Sequence, residues 1–299
     1  MTGTVRVVAA RRYGTLSPLR YPGGKAALAG LFADVIGELG VRNCTYVEPY
    51  AGGAGAGIAL LREGLVSRLV INDIDPAVHA FWHSVVNHNA AFVDWVMEVP
   101  LTIEEWRSQR GVYRSKPADL DQLGRAFFYL NRTNRSGVLN AGVIGGQDQG
   151  GRYKIDARFN RSTLAGRICA LSEFAGAIEV TALDGRTVIE RHRRRRTSFL
   201  YIDPPYVHAG SQLYLNAFDG RDHQALAEAV NRINGAHWLM TYDESPFIQR
   251  LYGKHFQAAL DLNYSARYPG KASELVVASE QVGRVLTESS EACRASAGA

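Results

Sequence analysis

Apolar positions along the chain fall into two rhythms. Leu28, Leu31, Phe32, Val35, Ile36 and Leu39 recur at the 3.6-residue period, which predicts an amphipathic helix over 28–39. Two short apolar runs, CTYVE at 44–48 and RLVIN at 68–72, predict strands. Between them a glycine-rich loop leads into a helix over 58–62, so the three elements form a βαβ unit. Asp75 before Pro76 predicts an N-cap and a first helical position for a helix through Val78, Phe81, Trp82 and Val85. Helical patterns follow at 92–97, 103–110, 123–130, 161–174 and 222–233, and strand patterns at 178–180, 198–202, 237–241, 256–260 and 273–278. The stretch 138–160 is long, polar and glycine-rich, which marks a functional loop. Residues 1–16 and 284–299 lack a periodic apolar pattern and are expected to be disordered tails.

Alternating strands and helices imply an α/β fold, and 299 residues with 46% hydrophobic content can bury a sizeable core. No apolar run approaches the ~18 residues of a membrane span. No secretory signal pattern is visible at the start of the sequence. Cys44, Cys169 and Cys293 are odd in number and far apart, which excludes a disulfide framework and a CxxC-type zinc site and fits a cytoplasmic setting. The net charge of +5 is unevenly placed: residues 107–196 hold 18 Lys/Arg and 8 Asp/Glu, a net +10, against 16 and 21 elsewhere, a net −5. Such an excess in one contiguous third points to a polyanion-binding face.

The chemistry concentrates in a few stretches. In YIDPPY at 201–206 an apolar strand stops at two prolines, which can neither continue a ladder nor enter a helix interior. Asp203 and Tyr206 are thereby delivered at the carboxyl end of a strand, where open α/β sheets bind ligands. With the free carbonyls of Asp203 and Pro204, and with Pro205 stiffening the turn, they offer acceptors beside a flat apolar face. That suits a planar group bearing an NH₂. The loop Pro49-Tyr50-Ala51-Gly52-Gly53 after Glu48 lets backbone approach a ligand closely, and Asp73 at the tip of the next strand is placed to hold ribose hydroxyls. A Gly-x-Gly-x-x-Gly fingerprint is absent, which argues against a dinucleotide. Lys25, after Tyr21-Pro-Gly-Gly, is suited to a carboxylate or phosphate. The eight histidines show no metal-ligand spacing, and neither Gly-x-Ser-x-Gly nor HExxH occurs, so no metal is expected.

Taken in order, RYPGGK, VEPYAGGAGAG, INDID, NRTNRSG, GRYKIDARFN, YIDPPY and NYSARYPGKASELVVAS resemble the Dam-type family of adenine-N6 DNA methyltransferases, from Leu19 to about Ala278. The resemblance implies a Rossmann-like, mostly parallel sheet with helices on both faces and an inserted, mainly helical DNA-recognition domain. The corresponding division is 17–75 and 176–283 for the catalytic domain and 76–175 for the insertion. It implies S-adenosylmethionine as cofactor, met by Tyr21, Lys25, Glu48, Pro49, Tyr50, Ala51, Gly52, Gly53, Asp73, Ile74, Asp184 and Asp203. It implies that Asp203 and the Pro204 carbonyl accept from the target amino group while Tyr206 stacks on an extruded adenine. Double-stranded DNA is the expected partner, read by Asn131, Arg132, Asn134, Arg135, Asn140, Arg152, Lys154 and Arg158. Of these, Asn131 and Arg132 sit where a helix gives way to loop and have a structural role open to them. A monomer is favoured, and a partner restriction endonuclease is compatible with the family. Leu139-Asn140 stands where the GATC enzymes carry a basic residue, so GATC is not assumed as the target.

Overall fold

A computed structural model describes residues 6–9, 12–14, 16–20, 25–207, 218–262 and 274–297. Its frame is one eight-stranded sheet of β1 (Arg6–Ala9), β2 (Thr45–Glu48), β3 (Arg68–Asn72), β4 (Ile178–Thr181), β5 (Ser198–Ile202), β6 (His237–Asp243), β7 (Phe256–Leu262) and β8 (Glu274–Ala278). The spatial order is β1-β7-β8-β6-β5-β2-β3-β4. From β4 to β6 all neighbours are parallel, and β1 is parallel to β7. Only β8 runs against its neighbours β6 and β7. This is the α/β, Rossmann-like architecture that the sequence predicts.

Strand geometry explains the two-layered core. Side chains alternate faces along a strand, so Phe199 and Tyr201 of β5 enter one core while Leu200 and Ile202 enter the other. In β6, Trp238, Met240 and Tyr242 share the second core, and Leu239 points to the first. All five residues of β5 are buried, as befits the middle of a parallel sheet covered on both faces. The first core holds α1 (Ala29–Glu38), α2 (Gly55–Arg62) and α3 (Pro76–Asn87), with Phe32 lying 4.8 Å from the Tyr201 ring. The second is covered by α8 (Gly185–His192), α9 (Gly220–Asn231) and α10 (Pro246–Leu251).

Between β3 and β4 the chain builds α4 (Asn89–Glu98), α5 (Ile103–Ser115), α6 (Leu120–Thr133) and α7 (Arg161–Cys169). As its sequence predicts, α3 starts with the Asp75 side chain accepting from the Ala77 N–H and Pro76 in the first turn. It packs against α6 so closely that a Cβ on Gly124 would meet the Ala80 carbonyl oxygen at 2.7 Å.

Both expected tails are corrected. Arg6–Ala9 forms β1, hydrogen-bonded along β7 at the sheet edge. A last helix, α11 (Glu280–Ala297), buries Val282 and Leu286 on the first core. Its apolar positions are few and its other residues small and polar, so composition alone reads as a tail. No helix among the described residues is long and apolar enough to cross a membrane.

Candidate active site at the switch point of the sheet

Strand order reverses between β2 and β5, and open α/β sheets bind ligands beyond the carboxyl ends of the strands at such a point. Two loops meet there: Pro49–Gly53 after β2 and Asp203–Tyr206 after β5. The loop after β2 is fixed by Asn72, fully buried at the end of β3. Its amide donates to the carbonyls of Pro49 (2.8 Å) and Leu183 (2.9 Å) and accepts from Thr181 Oγ1 and the Leu183 N–H. One side chain thus ties the ends of β2, β3 and β4 together. Beside it, half-buried Asp73 accepts from the N–H groups of Gly52 (3.0 Å) and Asp75 (3.0 Å). Burial pushes its carboxyl up to about 6 against those two donors. Ile74 next to it is 46% exposed. Ala51 and Pro49 are buried and line the turn.

Glu48 is 4% exposed and accepts from the Gly57 N–H at 3.0 Å. Burial, with nearby Asp203 adding to it, pushes its carboxyl up to about 8. On the far side, Asp184 caps α8 through the Arg186 N–H and grips the Arg186 guanidinium in a two-pronged ion pair. Gly185 is required here: a Cβ would lie 2.4 Å from the Tyr50 ring, whose buried hydroxyl has no hydrogen-bond partner.

The second loop carries a denser charge cluster. Asp203 Oδ1 accepts from Thr241 Oγ1 at 2.7 Å, and that hydroxyl shares a 2.7 Å hydrogen bond with Tyr201. Lys25, only 8% exposed, places its Nζ 3.3 Å from both Asp203 oxygens, 2.8 Å from the Tyr206 hydroxyl and 3.5 Å from Glu274 Oε1. Tyr206 donates to Asp203 Oδ1 at 3.1 Å, and its ring lies under Lys25 at 5.1 Å. Glu274 opens β8. Because β8 is antiparallel to β6, its first residue lies opposite Asp243 at the carboxyl end of β6. Burial raises the Glu274 carboxyl, opposed by Lys25 and reinforced by Asp203, and its Oε2 is buried without a hydrogen-bond partner.

A stiff acceptor set thus stands at the end of β5, beside an acid-tipped β3. The profile of the D12 class of N6 adenine-specific DNA methyltransferases matches residues 21–264. This chain belongs to that family. It is therefore an enzyme of the methyltransferase type, and family membership implies S-adenosylmethionine as methyl donor. No curated protein matches the sequence significantly. Two solved structures of the rRNA methyltransferase aviRa from Streptomyces viridochromogenes are similar. One has 14% identity and TM-score 0.37, covering 93% of this chain and 99% of that one. The other has 12% identity and TM-score 0.35, covering 94% and 99%. Likeness at that level carries no argument about this methyltransferase.

The expected DNA-reading residues divide sharply. Arg135, Asn140, Arg152, Lys154 and Arg158 are exposed. Arg152 lies over the Tyr153 ring at 5.5 Å, and Lys154 is hydrogen-bonded to the Gln149 carbonyl. Asn131, Arg132 and Asn134 are buried, and the amide of Asn131 serves the fold, the structural role its sequence position left open. The Asn131 amide accepts from the Arg20 N–H (2.8 Å) and donates to the Arg20 carbonyl (2.7 Å). Asn134 accepts from the Trp106 indole (2.7 Å) and donates to the carbonyls of Val138 and Leu139. Both amides stitch the end of α6 to its surroundings.

Tyr21 and the 263–271 connector lie outside the described residues. Glu274 and Thr241 escaped the sequence reading because only the reversed strand and the adjacent β6 bring them to Asp203. The fold also gathers His83, His88 and Asp121, donor atoms within 4.8 Å of one another, although their spacing suggests no metal site. His88 is half-exposed and paired with Asp121 at 2.8 Å, a contact between the end of α3 and the start of α6.

Proposed function

We propose that this methyltransferase moves the methyl group of S-adenosylmethionine to N6 of an adenine extruded from duplex DNA. The observation that carries the reading is Asp203: a carboxylate held by Thr241 at the end of β5, beside Pro204, with the Tyr206 ring next to it. An adenine amino nitrogen is a weak nucleophile because its lone pair is delocalised into the ring. Acceptors at Asp203 and the Pro204 carbonyl, each taking one amino hydrogen, favour a pyramidal nitrogen with its lone pair free. Asp203 then stabilises the positive charge that develops at nitrogen as the donor's methyl–sulfur bond breaks, the surplus amino proton passes through it to solvent, and the fixed orientation supplies much of the rate. Tyr206 supplies a stacking face for the extruded base, whose unstacking costs a few kcal/mol.

The residues present fit the cofactor. Asp73 offers carboxylate oxygens to ribose hydroxyls, exposed Ile74 an apolar surface, and Tyr50 a buried, unpartnered hydroxyl beside Gly185. When bound there, S-adenosylmethionine supplies an electrophilic sulfonium methyl. Residues 76–175 serve as the target-recognition segment, with exposed Arg135, Asn140, Arg152, Lys154 and Arg158 facing DNA. Purified protein incubated with duplex DNA and methyl-tritiated S-adenosylmethionine tests the reading. Digested product containing labelled N6-methyladenine supports it. Label in N4-methylcytosine, in RNA alone, or nowhere overturns it.

A further inference from the structure

We propose that Arg132, flanked by Arg20 and Arg167, forms an anion site that takes a phosphate oxygen of the nucleic-acid backbone. The inference deepens the functional reading above and rests on it for the identity of the anion. Arg132 is 7% exposed, and its Nε is buried without a hydrogen-bond partner. No ion pair to Arg132, Arg20, Arg167 or Arg158 occurs among the described residues. Buried charges are ordinarily paired, because an uncompensated one is expensive. The described residues supply no carboxylate to Arg132, and an anion brought from outside the chain would complete the site.

The surroundings are built for an anion rather than for a hydrophobic contact. Residues 17–20 are clamped between α6 and α7. Arg20 is held through its backbone by Asn131, the neighbour of Arg132, and its Nη1 donates to the Asn134 carbonyl at 3.1 Å. From α7, Arg167 Nη1 donates to the Ser17 carbonyl at 3.2 Å. Each guanidinium spends part of its five donors on a carbonyl and keeps the others. Burial first, then Arg167 and Arg20, push Arg132 down to about 9, still protonated at neutral pH. Burial and Arg158 lower Arg20 likewise. The carbonyls of the last turn of α6 supply partial negative charge near Arg132, far short of a full anion against this many cations. The cluster grades outward from buried Arg132 through half-buried Arg20 and Arg167 to exposed Arg158.

The full chain carrying Arg132→Met tests the site, because it removes the charge while keeping an unbranched apolar side chain. Wild type should gain thermal stability from inorganic phosphate at constant ionic strength, and the Met variant should be more stable without phosphate and gain nothing from it. On duplex DNA, the slope of log affinity against log salt should fall by about 0.9, the contribution of one phosphate. Arg167→Gln, at a half-buried position, should lower the slope in the same way without a change in the core. Phosphate stabilising both proteins alike, or a destabilised Met variant with an unchanged slope, overturns the site. A Met variant that loses S-adenosylmethionine affinity but keeps the slope overturns the assignment to nucleic acid and places the cofactor carboxylate there. A wild type that phosphate stabilises through Arg132 but that binds no DNA refutes the DNA reading alone.

Discussion

At the carboxyl end of β5, one buried ammonium, Lys25, is shared by two carboxylates, Asp203 and Glu274. At the end of α6, one buried guanidinium, Arg132, sits among other arginines and has no carboxylate partner among the described residues. The two regions meet the same cost of burying charge in opposite ways. The first is compensated from within by two carboxylates, which under the proposed function would suit a sulfonium and a nitrogen that becomes positive. The second has no compensating carboxylate among the described residues and, under the proposal above, would suit a polyanion. The net charge of the whole chain averages these demands and shows neither.

Removing the acceptor should have the largest effect. Asp203→Ala is expected to lower methyl transfer by on the order of 10²–10³ or more while S-adenosylmethionine binding by calorimetry is retained. Near-normal turnover would erase the distinction between a catalytic cluster and a mere ion-pair network.

Glu274→Gln probes the same cluster more gently. Lys25 would then lose the Glu274 carboxylate and compete more strongly for the Asp203 oxygens that the target amine needs. Turnover should fall about tenfold to a hundredfold with little change in KM for DNA, and Glu274→Asp should recover part of it. Equal losses in the Gln and Asp variants would mean that packing rather than charge is at work.

Much of this comparison was legible in the sequence, and the rest fails for identifiable reasons. Asp203, Asp73 and the glycine loop are local signals: a strand, a stop, and a residue at the tip. Glu274 is not local, because its place depends on β8 turning back along β6. Asn131 and Asn134 have the residue type of base readers, yet their amides are consumed by backbone groups and the Trp106 indole that the fold brings within reach. Helix α8 was hidden by the basic run that follows it, although Val188 and Ile189 pack into the second core. β1 was too short to register as a strand without its partner β7.

A subtler consequence of the acidic region is a pH dependence. The Glu48 carboxyl titrates at about 8 in the folded protein, against an ordinary 4.5. The folded state therefore binds the extra proton between those values, and stability falls as pH rises through that window. Glu48→Gln, which can keep the acceptor for the Gly57 N–H, should match wild type near pH 4.5 and become the more stable of the two towards pH 8. Parallel stability curves across that range would show that burial does not hold the Glu48 carboxyl in its protonated form.

The smallest effects belong to the exposed face of the basic region. Alanine at Arg135 or Asn140 should cost about 1–3 kcal/mol at a single base pair and relax the modified sequence there. An equal loss on every sequence would instead assign these residues to phosphates.

The central claim is that the Asp203 cluster methylates adenine N6 at a defined DNA sequence. Modification-sensitive sequencing of plasmid DNA from cells making wild type or Asp203→Ala tests it most directly. The account predicts N6-methyladenine at one recurring motif with wild type and none with the variant. Unmodified adenine in both, or the same marks in both, would contradict it.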